Sequence, residues 1–336
     1  MNQLFVALTV GDCNGIGPEV VLRSIHRQDT RRGCVPVLVG PAEIFELTAR
    51  RLGFSFRFVP YPPRPGGKEV ALIEPPRLAP VRCRPGILSA AAGAAAVAAI
   101  EEAAALALSG RVHALVTAPV SKRALHLAGC RFPGQTEMLQ HLTGAPQVAM
   151  ILVSSSLRVG LATIHVPLRS VARSLTIPLV RARLAIVDQA LRNDWRIPRP
   201  RIAVLGLNPH AGEGGDLGSE EELVIIPAMK ALRRRGVLLD GPFPADAFFA
   251  RMDAKAYDAV FAMYHDQGLI PLKMTARGRG VNVSAGLPIV RTSPDHGTGF
   301  DIAGKGVADP SSTVAALRLA AVIARNRSIT LRSRKP

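Results

Sequence analysis

Residues 9–20 read TVGDCNGIGPEV and follow directly on the apolar run LFVAL at 4–8. The order Gly11, Gly15, Gly17 is G-x-x-x-G-x-G, not the G-x-G-x-x-G that opens a dinucleotide-binding helix. No Lys-Ser or Lys-Thr pair follows, so a P-loop is excluded as well. What the stretch specifies is local. A short strand enters, Gly11 to Gly17 turn, and Pro18-Glu19 start a helix, proline suiting the first helical position and an acid the positive helix end. A plain βα turn and a turn beside a ligand both fit.

The same rhythm recurs along the chain. Strands are expected at 5–10, 35–39, 114–117, 150–154, 158–164, 201–207, 259–263 and 280–284. Helices are expected at 18–26, 42–52, 89–108, 122–128, 136–142, 178–193, 220–235, 245–251 and 311–324. Strand–helix alternation predicts an α/β fold with largely parallel sheet covered by helices. The Pro/Gly-rich region 60–86 reads as a long connector with room for one or two short edge strands, and no fixed-period repeat is visible.

Composition narrows the function classes. At 336 residues the chain is long enough for two domains, and 48% hydrophobic with 20% charged residues excludes global disorder. Cys13, Cys34, Cys83 and Cys130 form no C-x-x-C pair, which predicts free thiols in a reducing compartment. MNQLFVALTV lacks a basic leader, so a signal peptide is not expected. The most apolar long segment, LSAAAGAAAVAAIEEAAALAL (88–108), is mostly alanine, carries Glu101 and Glu102, and has Ser89 to cap it. It reads as a helix packed closely on a sheet, not a membrane span. A formal charge of +17 raises nucleic-acid binding, but the basic residues are dispersed and aromatics are 4%, so base-stacking platforms are not expected. The dense basic run at 325–335 reads as a solvated tail. The expectation is a cytoplasmic protein with no membrane or nucleic-acid partner, part of its charge serving a small anionic substrate.

In open α/β sheets ligands bind beyond the carboxyl ends of the strands. The segments at those ends are GD (11–12), TAPVSK (117–122), IHVP (164–167), NPHAGEGG (208–215) and MYHDQG (263–268), and three of them carry histidine. No local metal motif is present, and a single strand-end histidine is usually an ordinary loop residue. Three in one topological position, His165, His210 and His265, point to a shared divalent metal with an open coordination position. Asp266 and Asp246 are carboxylates that orient ligands, join them or move a proton, or else cap the next helix.

Two further segments suit anions. Lys273, Asn282 and Arg291, within KMTARGRGVNVSAGLPIVR (273–291), are spaced for loop-borne phosphate recognition, although each taken singly also reads as a solvated surface group. RFPGQTEML (131–139) puts Gln135 and Thr136 at a helix start, where free N–H groups favour an anion, although ordinary helix-start chemistry explains Thr136-Glu137 equally well. The glycine-dense loop SPDHGTGFDIAGKG (293–306), with His296 and Asp301, permits close backbone approach to a ligand or is a long connection.

Taken together, GDCNGIGPE, TAPVSK, PGQTEM, NPHAGEGG, YHDQGLIPLK and GVNVSAGLPIVRTSPDHGTGFDIAGKG resemble the 4-hydroxythreonine-4-phosphate dehydrogenase family of pyridoxal phosphate biosynthesis, over nearly the whole chain. GIGPE and HGTGFDIAG also resemble the isocitrate/isopropylmalate dehydrogenase superfamily, which binds its nicotinamide cofactor without the G-x-G-x-x-G loop. The resemblance implies a two-domain fold with an interdomain active-site cleft: 1–125 with 290–336 as the cofactor-side domain, and 126–289 as the domain of metal ligands and dimer interface. It implies a divalent metal, zinc or a substitute such as cobalt or magnesium, on His165, His210 and His265. Those ligands would come from the two subunits of a homodimer. Gln135, Thr136, Lys273, Asn282 and Arg291 would hold a phosphorylated substrate. His296, Gly297, Thr298 and Asp301 would line the NAD or NADP site, and Asp266, Asp246 and Lys273 are the catalytic candidates. The implied reaction is oxidation of the 3-hydroxyl of 4-phosphooxy-L-threonine followed by decarboxylation to 3-amino-2-oxopropyl phosphate.

The sequence departs from the family pattern at Gln135, where histidine is usual, at Cys13 for proline and at Gly299 for alanine. Gln135 keeps open a paralogous dehydrogenase of 4-phospho-threonate or 4-phospho-erythronate. A metal-dependent lyase or acyltransferase, and a basic nucleic-acid-binding protein, are the alternatives of other classes.

Overall fold

A computed structural model describes residues 3–27, 33–63, 69–78, 80–251 and 256–333; parts of the 60–86 connector and the last residues of the basic run lie outside them. In chain order the elements are β1 (Phe5–Thr9), α1 (Gly17–His26), β2 (Val35–Val39), α2 (Ala42–Arg51), β3 (Phe58–Pro60), β4 (Val70–Ile73), α3 (Ala90–Leu108), β5 (Ala114–Val116), α4 (Lys122–Leu127) and α5 (Gln135–Thr143). There follow β6 (Ala149–Val153), β7 (Arg158–Leu161), short helical turns at Leu168–Ser170 and Val171–Ser174, α6 (Ile177–Asp194) and β8 (Arg201–Leu205). Next come a turn over Pro209–Gly215, a π-helical turn (Glu221–Ile225) that runs into α7 (Ile226–Arg233), β9 (Leu238–Phe243), α8 (Ala245–Arg251), β10 (Ala259–Ala262) and α9 (His265–Ala276). The last are β11 (Val281–Ala285), β12 (Arg291–Pro294) and α10 (Ser311–Ser333).

The chain divides into two compact units, the first running to Pro146 and including Leu287–Arg325, the second comprising Gln147–Gly286 and residues from Asn326. Residues 126–146, assigned on sequence to the second domain, fall in the first unit because α5 packs on α3. The first unit's sheet runs β3-β4-β2-β1-β5-β12, with every pair parallel. The second unit's runs β11-β6-β7-β10-β8-β9; β11–β6 and β6–β7 are antiparallel and the rest parallel. The α/β class expected from the strand–helix alternation, and from the superfamily resemblance, is the class observed.

Among the elements not expected from the sequence, three bear on the sheets and the site. β9 is LLDGPF, whose Gly-Pro reads as a turn but is tolerated on a sheet edge. β12 is the polar run RTSP, yet all four residues are buried. α9 carries Gly268 and Pro271, both helix breakers, and lies outside the expected helices. Burial overrides propensity in each. On the second sheet, alternate residues of the central strands (Leu152, Val159, Leu161, Ala203, Leu205, Val260, Ala262) form one apolar face, and Leu269 and Leu272 of α9 pack on it. That packing seats the start of α9, and so His265, at the carboxyl end of β10.

α3 has the length and apolar composition of a membrane span, and half of that stretch is buried in the protein. Ser89 caps it as expected, accepting from Ala92 N at 3.2 Å. Its small residues let α4 approach very closely. A Cβ built on Gly93 would lie 2.0 Å from the carbonyl oxygen of Ala124. Because the obstacle is backbone, it cannot swing aside. Gly93→Ala is therefore expected to destabilise by about 3 kcal/mol, read as a lower midpoint in urea at unchanged slope.

Candidate active site

The three histidine-bearing strand ends lie on neighbouring strands, β7-β10-β8, of the second unit. Their ends are tied together by side chains. Thr163, after β7, donates its N–H and its hydroxyl to Met263 O at 3.2 and 2.8 Å. Gln267 accepts from Met263 N at 2.7 Å and donates to Gly206 O at 2.7 Å, joining the end of β10 to the end of β8. Neither Thr163 nor Gln267 stood out on sequence, because nothing in their spacing shows that they bridge strands distant in the chain.

The rings of His165 and His265 lie 5.9 Å apart, centre to centre. His265 Nδ1 is 2.7 Å from Asp266 Oδ1. A carboxylate accepts, so Nδ1 carries the proton, and in the neutral ring Nε2 keeps its lone pair for a ligand. His210 sits on the turn after β8, and α8, whose first turn carries the exposed Asp246, packs against that turn. Among the described residues, no group of three or more His, Cys, Asp or Glu side chains is arranged to hold a metal ion. One chain thus pairs two of the three imidazoles.

The anion candidates are not loop-borne, as the spacing of 273–291 suggested. Lys273 lies exposed on α9, Asn282 on β11 and Arg291 on β12. The Oδ1 of Asn282 is shielded from solvent and has no hydrogen-bond partner. In the first unit Arg291 is 4% exposed. Its Nε and Nη2 donate to Thr117 Oγ1 at 3.0 and 2.7 Å, Nη2 also to Gln135 Oε1 at 3.3 Å, and Nη1 to Thr136 Oγ1 at 3.4 Å. Burial pushes the guanidinium down to about 10, and the Glu137 carboxylate works against that shift. It stays protonated at neutral pH.

Gln135 and Thr136 open α5, whose N-cap residue Gly134 makes no side-chain cap bond; a helix start carries the positive end of the helix dipole, which favours an anion. The amide of Gln135 is committed at both ends, since its Nε2 donates to Ala118 O at 3.1 Å. Thr117, the strand-end residue that orients Arg291, was passed over on sequence although it opens TAPVSK.

The opening turn is more than a plain βα connection. Ile16 N donates to Thr298 O at 2.8 Å, and a Cβ on Gly15 would lie 2.7 Å from that same oxygen. Only glycine lets the turn lie against the 296–301 loop. In that loop His296 Nδ1 is 3.1 Å from Gly297 O, and its Nε2 is buried with no partner; Asp301 is exposed.

Beside it Asp12, 1% exposed, accepts from Asn14 N at 2.9 Å through Oδ1, while its shielded Oδ2 has no partner. Burial raises the Asp12 pKa, partly offset by backbone N–H groups of Asn14, Ser121 and Gly15. An acid raised in the fold binds its proton more tightly there, so ionisation costs stability as pH rises through the carboxylate range. Asp12→Asn should therefore be more stable than the parent at neutral pH and lose that advantage toward about pH 4, as thermal melts across pH would record.

The sequence model of the family described as "Pyridoxal phosphate biosynthetic protein PdxA" matches residues 32–320. The chain belongs to the PdxA family. Among its relatives within and around that family, a D-threonate 4-phosphate dehydrogenase of Cupriavidus necator is 44% identical over 328 residues, covering 96% of this chain and 98% of its own. A 4-hydroxythreonine-4-phosphate dehydrogenase of Acidithiobacillus ferrooxidans is 44% identical over 326 residues, covering 95% and 96%. The crystal structure of 4-hydroxythreonine-4-phosphate dehydrogenase from Klebsiella pneumoniae superposes with a TM-score of 0.86 at 42% identity, covering 96% of this chain and 98% of that one. The PdxA-family protein is thus an enzyme of a dehydrogenase family, aligned with its relatives nearly end to end.

Proposed function

We infer that the chain is a metal-dependent, NAD(P)-linked dehydrogenase of 4-phosphooxy-L-threonine. It oxidises the 3-hydroxyl, and the resulting β-keto acid loses carbon dioxide to give 3-amino-2-oxopropyl phosphate on the route to pyridoxal 5'-phosphate. The observation that carries this reading is Arg291. A deeply buried guanidinium, fixed by Thr117 and set beside a helix start, supplies the preorganised positive charge that suits a phosphate monoester. Thr117 and Gln135 orient the guanidinium, and Thr136 with the helix start it opens completes the pocket for the substrate's anionic end. Lys273 and Asn282 keep the substrate-binding roles that the resemblance gives them, and the unpartnered Asn282 Oδ1 is an acceptor open to a hydroxyl or ammonium donor of the substrate.

His165, His210 and His265 are the residues that would hold a divalent cation, zinc first among the candidates. The donor set suits it: two imidazoles lie 5.9 Å apart, and one is fixed in orientation by a carboxylate. When bound, such a cation supplies Lewis acidity that lowers the pKa of a substrate hydroxyl. NAD or NADP supplies the hydride acceptor, and the buried, unpartnered Nε2 of His296 fits the assignment of His296, Gly297, Thr298 and Asp301 to that cofactor. Asp266 is engaged with His265, which leaves the exposed Asp246 to receive the hydroxyl proton, with Lys273 as the candidate that donates or holds charge beside it.

The enzyme works as a homodimer in the cytoplasm, with the metal site completed by the second subunit. Exposed Leu168 (73%), Ile270 (61%) and Met274 (76%), on the segment after His165 and on the helix that His265 opens, support an apolar contact there. We assign it no membrane or nucleic-acid partner.

A second reading rests on Gln135. Where the family pattern has histidine, this chain has a neutral amide already spent on Arg291 and Ala118. That suits 4-phospho-threonate or 4-phospho-erythronate, which carry hydroxyl where phosphooxy-threonine carries ammonium. Turnover of the amino and non-amino substrates, followed by absorbance of the reduced cofactor, tests both. Preference for the amino acid is the expected result; clear preference for the hydroxy acids would overturn the biosynthetic reading, and turnover with no cofactor reduction would overturn the dehydrogenase.

A further inference from the structure

The turn that carries His210 is left-handed over consecutive residues. His210, Ala211, Gly212, Glu213 and Gly214 have φ of 51°, 54°, 83°, 43° and 68°, and Gly215 has 103°. Glycine enters this region freely, but each of the three other residues costs about 1–2 kcal/mol. Such a run persists only where its surroundings over-determine it.

The surroundings converge on one carboxylate. Glu221 is 2% exposed. Its Oε1 accepts from Leu207 N at 2.6 Å and Asn208 N at 2.8 Å, and its Oε2 accepts from the Asn208 side chain at 2.8 Å. These three donors lie immediately before the left-handed run. On the other side a Cβ at Gly212 would fall 2.8 Å from Oε2, so the run is folded directly over the carboxylate. Glu221 is itself the first residue of the π-helical turn, a second irregular backbone segment, followed by Pro227, which cannot donate to the turn before it. Gln267 holds the neighbouring Gly206 O from the β10 side.

We propose that Glu221 is a positioning residue that fixes the His210 turn in its metal-binding conformation. It touches neither substrate nor metal and acts through Leu207, Asn208 and Gly212. The inference rests on the reading of His210 as a metal ligand, made above.

The test is zinc affinity of the metal-stripped full chain, by competition with a chromogenic chelator, for the parent, Glu221→Ala, Glu221→Gln and His210→Ala. Deuterium exchange of the 207–216 amides is followed in parallel. Loss of a residue that orients a ligand weakens metal binding by about 10- to 100-fold. Glu221→Ala should show that loss together with faster exchange confined to 207–216. Glu221→Gln keeps the side chain's length and an acceptor for Leu207 and Asn208, so it should fall between Ala and the parent. It carries the test if the alanine variant does not fold. Folded Glu221 variants that bind zinc like the parent, while His210→Ala loses affinity, would overturn the proposal alone. Unchanged zinc affinity in His210→Ala would overturn the metal reading, and this inference with it.

Discussion

Replacing Arg291 by alanine is expected to lower kcat/KM for the phosphorylated substrate by about 1,000-fold. The estimate follows from removing a buried charged partner of a phosphate, which costs roughly 4 kcal/mol. The loss should be selective. Arg291 is held by Thr117, Thr136 and Gln135 in the first unit, and the histidine-bearing strands belong to the second. Turnover of the dephosphorylated analogue should therefore be low in the parent and fall little further in the variant. Arg291→Met, closer in volume, checks that the effect is not a collapsed core. An equal loss on both substrates would move the phosphate elsewhere.

The second large effect concerns the imidazoles. His265→Ala should leave the protein folded, because the helix it opens is anchored by Leu269 and Leu272 in the sheet-facing core. It should nonetheless lose about 1,000-fold or more in kcat and bind zinc far more weakly, since a three-ligand site does not survive loss of a ligand. Asp266→Asn should cost less, about 10- to 100-fold in zinc affinity, because it alters only the hydrogen bond that orients His265. Inductively coupled plasma analysis of the dialysed variants beside steady-state kinetics separates the two. A His265→Ala enzyme with near-parental turnover and no metal would refute the assignment.

Much of the architecture was legible because alternation of short β-branched runs with helical stretches leaves few choices. Reading forward from each run located His165, His210 and His265 at strand ends, and the sheet order β7-β10-β8 makes those ends neighbours. That order was not readable, since it depends on the crossovers. Gln267, Thr163 and Glu221 escaped for the same reason: each acts on backbone groups of a different segment, and no periodicity records such a bond. β12 escaped because RTSP has the composition of a loop, and its burial follows from pairing alongside β5, where Arg291 bonds Thr117. α9 escaped because Gly268 and Pro271 break the helical pattern that packing of Leu269 and Leu272 restores.

Crystals of the full chain soaked in zinc, with anomalous data collected at the zinc edge, test the central claim most directly. The account predicts one strong peak per subunit within bonding distance of a ring nitrogen of His165, of His265 and of a His210. No peak, or a peak bonded to other side chains with those three rings pointing apart, would contradict it.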